Sequence, residues 1–294
     1  MIYVINNEDA GKNIKEFLKS KEVSCGLLKR LKKIENGITV NKLHQNVLYV
    51  LSQGDILEIK AEDFISDTNE YLEPKDIFVD VIYEDENITV VNKPSNMPTH
   101  QSINNHDNTL ANALRFRYID KPYVFRAVNR LDKDTSGVVI TANNRYYASL
   151  LSKKIKNGQV KKEYIAVVCG KLEGEGIIDA PIDRIGESII KRTVCKTGEK
   201  AITHYKVLLS CDDVSVVLVT PITGRTHQIR VHMSHIGHPI IGDYMYFEPS
   251  KFIDRQALHC MRMEIDGIGS FYAPLPNDID ELIRRYFSNE EIGF

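Results

Sequence analysis

The 294-residue sequence predicts an α+β fold built on a mixed, largely antiparallel sheet with flanking helices. Three observations carry this expectation. Strand-like runs outnumber helical ones and do not alternate regularly with them, which argues against a doubly wound parallel sheet. The sequence has no internal repeat, low-complexity tract or glycine-rich phosphate loop. At roughly 150 residues per domain the length suggests about two domains, and 43% hydrophobic with 27% charged residues suits a chain that folds.

Residues 1–60 read as a small α/β unit. Asn13–Ser20 spaces Ile14, Phe17 and Leu18 at helical intervals. A second helix is expected from Ser24, an N-cap, to about Glu35, with Gly37 as its stop. Leu27, Leu28, Leu31 and Ile34 line one face of it, and Lys29, Arg30, Lys32 and Lys33 occupy the rest. That basic side is either a solvated surface or a nucleic-acid contact. Short strands follow at Ile38–Val40, Leu48–Leu51 and Ile56–Ile59, with a turn at Asn41–Lys42.

Charge then marks a boundary. Residues 1–60 carry 10 basic and 7 acidic residues, residues 61–90 one basic and 10 acidic, and the remainder is net basic by four. The acidic stretch Glu62–Pro74 lacks apolar periodicity, so residues 61–76 are expected to form a linker. Residues 77–294 form the second, larger unit. Its strands are predicted at Phe78–Tyr83, Ile88–Asn92, Val138–Thr141, Glu163–Val168, Thr203–Leu209 and Val214–Thr220, and its helices near Thr109–Arg117, Asn143–Lys156 and Thr226–Ile236.

No apolar run approaches the roughly 18 residues of a membrane span, and the opening MIYVINNEDAGK is unlike a signal peptide. The five cysteines are dispersed and odd in number, against a disulfide scaffold. A cytoplasmic location with reduced thiols is expected.

Four segments can carry chemistry. In RAVNRLDKDTSGVVIT, Arg126–Thr141, Asp132 lies on a loop entering a strand, where a carboxylate is either a fixed functional group or a satisfier of turn amides. In Val217–Gly242, Arg225, His227 and Arg230 follow a turn at Thr223–Gly224. Arginines so placed hold an anion or a carboxylate, or form ordinary surface pairs. His227, His232, His235 and His238 raise a metal site, but no Glu completes an H-E-x-x-H pattern and core or capping roles are favoured. In VKKEYIAVVCG, Tyr164 opens a strand beside Lys161 and Lys162, either to stack on a base or to fill the core.

Together these segments resemble the RluA-like group of bacterial-type RNA pseudouridine synthases, the large-subunit ribosomal RNA branch. Val90–His100, VVNKPSNMPTH, is similar to the family's strand and NKP loop. Arg126–Gly137 resembles H-R-L-D-x-x-T-S-G, and Lys161–Gly170 its K-x-Y strand. Lys191–Tyr205 is similar to the segment between core strands. Val217–Asp243 carries T-G-R-x-H-Q-I-R and then G-H-P-I-x-G-D, and Arg255–Met261 a late strand. Residues 12–60 resemble the ribosomal S-four-type RNA-binding module. Two departures stand out: Asn129 where the family usually has His, and Ser24–Cys25–Gly26 where the module usually has S-R-S.

The resemblance implies a catalytic domain with a central cleft, no cofactor and no metal. Asp132 becomes the nucleophile, Arg230 its salt-bridge partner and Tyr164 the stacking surface for the target uracil. Arg130 fills the flipped nucleotide's place or grips its phosphate, and Arg225 or His227 supports the loop or the RNA backbone. Arg126, Lys133, Lys161 and Lys162 are the expected phosphate contacts near the cleft, and Lys29, Arg30, Lys32 and Lys33 the expected RNA contacts of the front module. The reaction is an internal rearrangement, so a single carboxylate suffices, either attacking a carbon or removing a sugar proton. Its target base must leave the stack, at a cost of about a few kcal/mol. The implied partner is RNA, 23S ribosomal RNA ahead of transfer RNA, met by a monomer. A catalytically silent RNA-binding or ribosome-assembly protein, and a metal-dependent hydrolase using the histidines, are the competing readings.

Overall fold

The computed structural model describes residues 1–61, 72–102, 107–186 and 190–288. Most of the predicted linker, residues 62–71, lies outside these.

The first sixty residues build their own sheet and core. β1 (Ile2–Val4) precedes α1 (Ile14–Ser20) and α2 (Cys25–Leu31), followed by β2 (Ile38–Val40), β3 (Leu43–His44) and β4 (Ile56–Ile59). The sheet order is β1-β4-β2-β3, antiparallel throughout. Ile14, Phe17, Leu18, Leu27, Leu31 and Leu57 are buried together. Asn13 and Glu16 form a capping box on α1, and Ser24 caps α2 by accepting from the Leu27 amide.

Two expectations here need correction. The second helix stops at Leu31, four residues early, because Lys33 and Ile34 turn to i−3 hydrogen bonds and Asn36 has a positive φ of 51°. Leu48–Leu51 is not a strand. The Tyr49 carbonyl, and that of Val47 just before the segment, instead accept from the Ile14 and Lys15 amides at the start of α1. The end strand β1 went unpredicted because three residues show too little alternation.

The larger unit begins with β5 (Asp80–Glu84), β6 (Ile88–Lys93), α3 (Leu110–Arg117), β7 (Ser136–Ala142), α4 (Arg145–Lys156) and β8 (Val160–Cys169). β9 (Glu175–Asp179), β10 (Ile182–Arg184), β11 (Arg192–Val194), β12 (Ile202–Ser210), β13 (Val214–Pro221) and α5 (Gln228–His235) follow. β14 (Leu258–Ile265), β15 (Gly269–Tyr272) and α6 (Asn277–Tyr286) complete it. The main sheet runs β5-β6-β7-β14-β8-β13-β12-β9, with β15 on β14, and among the described residues its one parallel pair is β7 with β14. The fold is α+β with a largely antiparallel sheet.

At that parallel pair the backbones approach closely. A Cβ on Gly137 would lie 2.2 Å from the Cys260 carbonyl oxygen, and φ is +116°, so only glycine fits. The two units also touch: the Tyr146 hydroxyl on α4 donates to the Lys21 carbonyl at 2.7 Å, and Lys153 pairs with Glu22 at 2.6 Å.

Candidate active site

Asp132 sits on the loop between α3 and β7, and the residues on both sides of it are held by hydrogen bonds. Residues 126–129 run along β7, with Val128 N–H donating to the Ile140 carbonyl and Ala142 N–H to the Arg126 carbonyl. Asn129 continues this false strand with its side chain: Nδ2 donates to the Val138 carbonyl at 3.0 Å, and Oδ1 accepts from the Ile140 amide at 2.9 Å. The family's usual histidine is thus replaced by an amide that clamps the strand's main chain. Thr99 Oγ1 donates to the Leu131 carbonyl and accepts from the Leu131 amide. Arg255 Nη1 donates to the Asp134 carbonyl, and the Thr135 amide closes a turn onto the Asp132 carbonyl.

Lys93, the lysine of the NKP segment, is fully buried beneath the loop. Its ammonium donates to the carbonyls of Pro94, Met97 and Lys133 at 2.8, 2.7 and 3.0 Å. Burial pushes its pKa down to about 7, while the Asp134 and Asp132 carboxylates act to raise it. Three acceptors match the three donors of an ammonium.

The second wall of the site comes from α5. Arg230 Nη1 donates to Asp132 Oδ2 at 3.1 Å, across 98 residues of sequence. The other side of the guanidinium is fixed by the wholly buried Asp243, which accepts from Nε and Nη2 at 2.7 Å each. Burial works against the charge of Arg230, but Asp243 and then Asp132 more than offset it, so its pKa rises. Asp243 Oδ1 also accepts from the Met245 and Tyr246 amides. Arg230 is therefore aimed by one carboxylate at another, with the bidentate geometry that suits arginine.

His227 caps the start of α5 in an uncommon way. It has φ 56° and ψ 20°, in the left-handed region, and its side chain makes no capping bond. Gln228 accepts from the Arg225 amide instead. The imidazole turns into the cleft, with Nε2 3.8 Å from Asp132 Oδ2 and Nδ1 2.8 Å from the Tyr246 hydroxyl. Burial lowers its pKa.

Asp132, His227 and Arg230 line a cleft of about 660 Å³, together with His100, Arg130, Lys133, Ile155, Lys162, Tyr164, Arg225 and Leu258. That volume fits the range of roughly 300–1,000 Å³ typical of small-ligand sites. Tyr164 is buried opposite Cys260 in the β8–β14 register, and burial raises the pKa of both, the thiol to about 12. Arg130 is exposed at the cleft. Arg225 also lines it, ion-paired with Glu199 and donating Nε to the Lys200 carbonyl.

Strand alternation separates the two lysines of β8. Lys162 lines the cleft beside Tyr164, and burial lowers its pKa. Lys161 faces the other way and pairs with Glu163 at 2.6 Å. Lys29, Lys32 and Lys33 are exposed and Arg30 half-buried on α2 and the turn after it; none lines the cleft. The histidines diverge: His232 is buried against Thr203 Oγ1 and the Ala180 carbonyl, and His238 lies against the Cys169 carbonyl. Among the described residues no group of three or more His, Cys, Asp or Glu gathers as a metal site would need. Nor is any helix there long and apolar enough to cross a membrane.

Comparison with known proteins agrees with this geometry. The family described as RNA pseudouridylate synthase matches residues 87–235, which span the Asp132 loop and α5. A Bacillus subtilis protein named uncharacterized RNA pseudouridine synthase YjbO is 39% identical over 92% of this chain and 98% of its own. Ribosomal large subunit pseudouridine synthase D of Escherichia coli is 36% identical over 84% of this chain and 80% of its own. The solved structure of human RNA pseudouridylate synthase domain containing 1 overlays with a TM-score of 0.58 at 27% identity, covering 74% of this chain and 97% of that one. Fold and cleft thus define an isomerase that acts on RNA. The chain belongs to the RNA pseudouridylate synthase family, and within it to the RluA-like group.

Sequence reasoning missed Asp243, Tyr246 and Lys93 as parts of the site's scaffold, and it singled out Asn129 only as a departure from the motif. Asp243 and Lys93 fall inside motifs that the resemblance covers, but nothing in their spacing marks them as partners of Arg230 and of the Asp132 loop.

Proposed function

We propose that this enzyme isomerises uridine in large-subunit ribosomal RNA, with Asp132 as the attacking group. The observation that carries the reading is the Asp132 carboxylate 3.1 Å from Arg230 at the head of a cleft lined by Tyr164. In this reading the target nucleotide leaves the RNA stack and enters the cleft, and its uracil lies against the Tyr164 ring. Asp132 either forms a bond to the sugar as the sugar–N1 bond breaks, or takes a sugar proton as that bond breaks. The freed base turns and bonds through carbon 5 as the bond to Asp132 breaks or the sugar proton returns, carbon 5 then losing its proton and N1 gaining one. Arg230, held by Asp243, keeps the carboxylate aimed during those steps. Arg130 occupies the vacated place or its phosphate, and Lys162 adds positive charge at the cleft wall. No atom is gained or lost, so the residues named are sufficient without a cofactor.

Residues 1–60 act in this reading as an S-four-type RNA-binding module, and residues 77–294 as the catalytic domain. The ribosomal target is supported by the 36% identity to the Escherichia coli large-subunit enzyme. The test has two parts. Carbodiimide labelling of RNA treated with the purified protein should show pseudouridine with the wild type and none with Asp132→Ala, while RNA binding by the variant stays within about twofold. Full product from Asp132→Ala would remove the nucleophile assignment. Mapping pseudouridines in cells with and without the protein assigns the RNA; a lost site in transfer RNA and none in ribosomal RNA would replace the proposed target.

A further inference from the structure

We propose that Tyr246 is a positioning residue that locks His227 in one tautomer, so that the imidazole presents an N–H donor, not a basic nitrogen, to the Asp132 side of the cleft. The inference rests on the reading of Asp132 as the reacting carboxylate. Its geometry is a short chain of hydrogen bonds. The Tyr246 hydroxyl oxygen accepts from the Arg192 backbone amide at 3.0 Å. A backbone N–H can only donate, so the phenol oxygen is the acceptor there. The phenol's own proton remains to be given to His227 Nδ1, 2.8 Å away. Nδ1 is then the acceptor, and by the rule that one ring nitrogen fixes the state of the other, the imidazole proton is on Nε2. This assignment follows from the hydrogen-bond network. Nε2 is the atom 3.8 Å from Asp132 Oδ2.

The rest of Tyr246 is fixed as well. Its ring lies under the Arg230 guanidinium, 5.1 Å from centroid to carbon, and its own amide helps hold Asp243. It also packs against the small cluster of Ile182, Ala201 and Val231. The left-handed backbone at His227 directs the imidazole toward this hydroxyl and away from the helix-capping role its position would otherwise give it. One side chain thus steadies both cationic and neutral donors around the nucleophile. An imidazole held this way is neutral, which agrees with the lowering of its pKa by burial. It cannot accept the proton that must leave carbon 5 of the uracil, because its only free nitrogen already carries one.

The test uses the full-length protein labelled with 15N-histidine, with the His227 signal assigned from His227→Gln. Two-bond nitrogen–proton correlation spectra near neutral pH should show a protonated Nε2 and an unprotonated Nδ1. In Tyr246→Phe, which keeps the ring under Arg230, the same signal should move toward a mixture of tautomers. Turnover should fall about tenfold, the scale of one neutral hydrogen bond, with KM within about twofold. A wild-type His227 carrying its proton on Nδ1 overturns the lock alone, and so does a Tyr246→Phe protein with wild-type kcat. Full turnover by Asp132→Ala removes the nucleophile reading and the catalytic meaning of the lock with it, whatever the tautomer. The spectra of the wild type need no variant of Tyr246 to fold.

Discussion

Asn129 shows how a single amide can replace a motif residue without loosening the loop behind it. Its two hydrogen bonds reach a carbonyl and an amide of the same strand, so the side chain acts as one more residue of β-pairing. Truncation would leave a buried N–H and a buried C=O without partners, at about 1–3 kcal/mol each. Asn129→Ala is therefore expected to lower the thermal midpoint by several degrees and to reduce activity with it; an unchanged melting curve would show that the amide is not a clamp. Lys93 makes the same argument with a charge. Lys93→Met removes the donor shared by three carbonyls and should destabilise the protein by at least about 2 kcal/mol in urea unfolding. Neither role was legible in the sequence. Asp132, Arg230 and Tyr164 could be named because they lie inside long motifs, whereas residues that hold a backbone leave no periodic or compositional trace. The opposite facing of Lys161 and Lys162 was legible in principle, since neighbours on a strand point to opposite sides, but it required a strand start three residues earlier than the one predicted.

At the scale of elements, the best-read parts were those with strong local signals. β-branched β13 and helices α3, α4 and α5 lie close to their predicted bounds, and capping by Thr109 and Asn144 fixes where α3 and α4 begin. β9 to β11 were missed because each is short and depends on a partner for its existence. β14 was placed only by resemblance, although its register against β7 is what seats the loop. The contact between β14 and β7 also buries a titrating group. His259 Nε2 lies 3.1 Å from the Ala273 carbonyl and so donates to it, which leaves Nδ1 to accept from the Ser136 hydroxyl at 2.9 Å. Burial pushes its pKa down to about 4. An unfolded histidine titrates near about 6.5, so between the two values the unfolded chain binds more protons and stability falls as pH falls. This contribution is complete above about 6.5 and is lost on the way to 4. The thermal midpoint of the wild type should drop across that window more steeply than that of His259→Gln; parallel curves would mean the imidazole is protonated in the folded state.

For the molecule as a whole, the two units share α4 as a common wall. One face of it meets residues 21 and 22, while Ile155 reaches the cleft. If the front unit holds phosphates, the triple variant Lys29→Gln, Lys32→Gln, Lys33→Gln should weaken RNA binding and flatten the plot of log K against log salt by about 0.7–0.9 per lost contact, with an unchanged melting point. An unaltered slope would identify those lysines as a solvated face. The order of strands across the larger sheet has a bearing on how the enzyme comes into being. β14 fills the gap between β7 and β8, yet it is made more than eighty residues after β8 has been translated. Until it emerges from the ribosome, two neighbouring strands wait with bare edges facing each other, the kind of template on which nascent chains aggregate. Arg230 can be complete by then and Asp132 long finished, but the Asp132 loop lacks the strand that seats it, so an interrupted translation product ending before Leu258 should be both inert and insoluble.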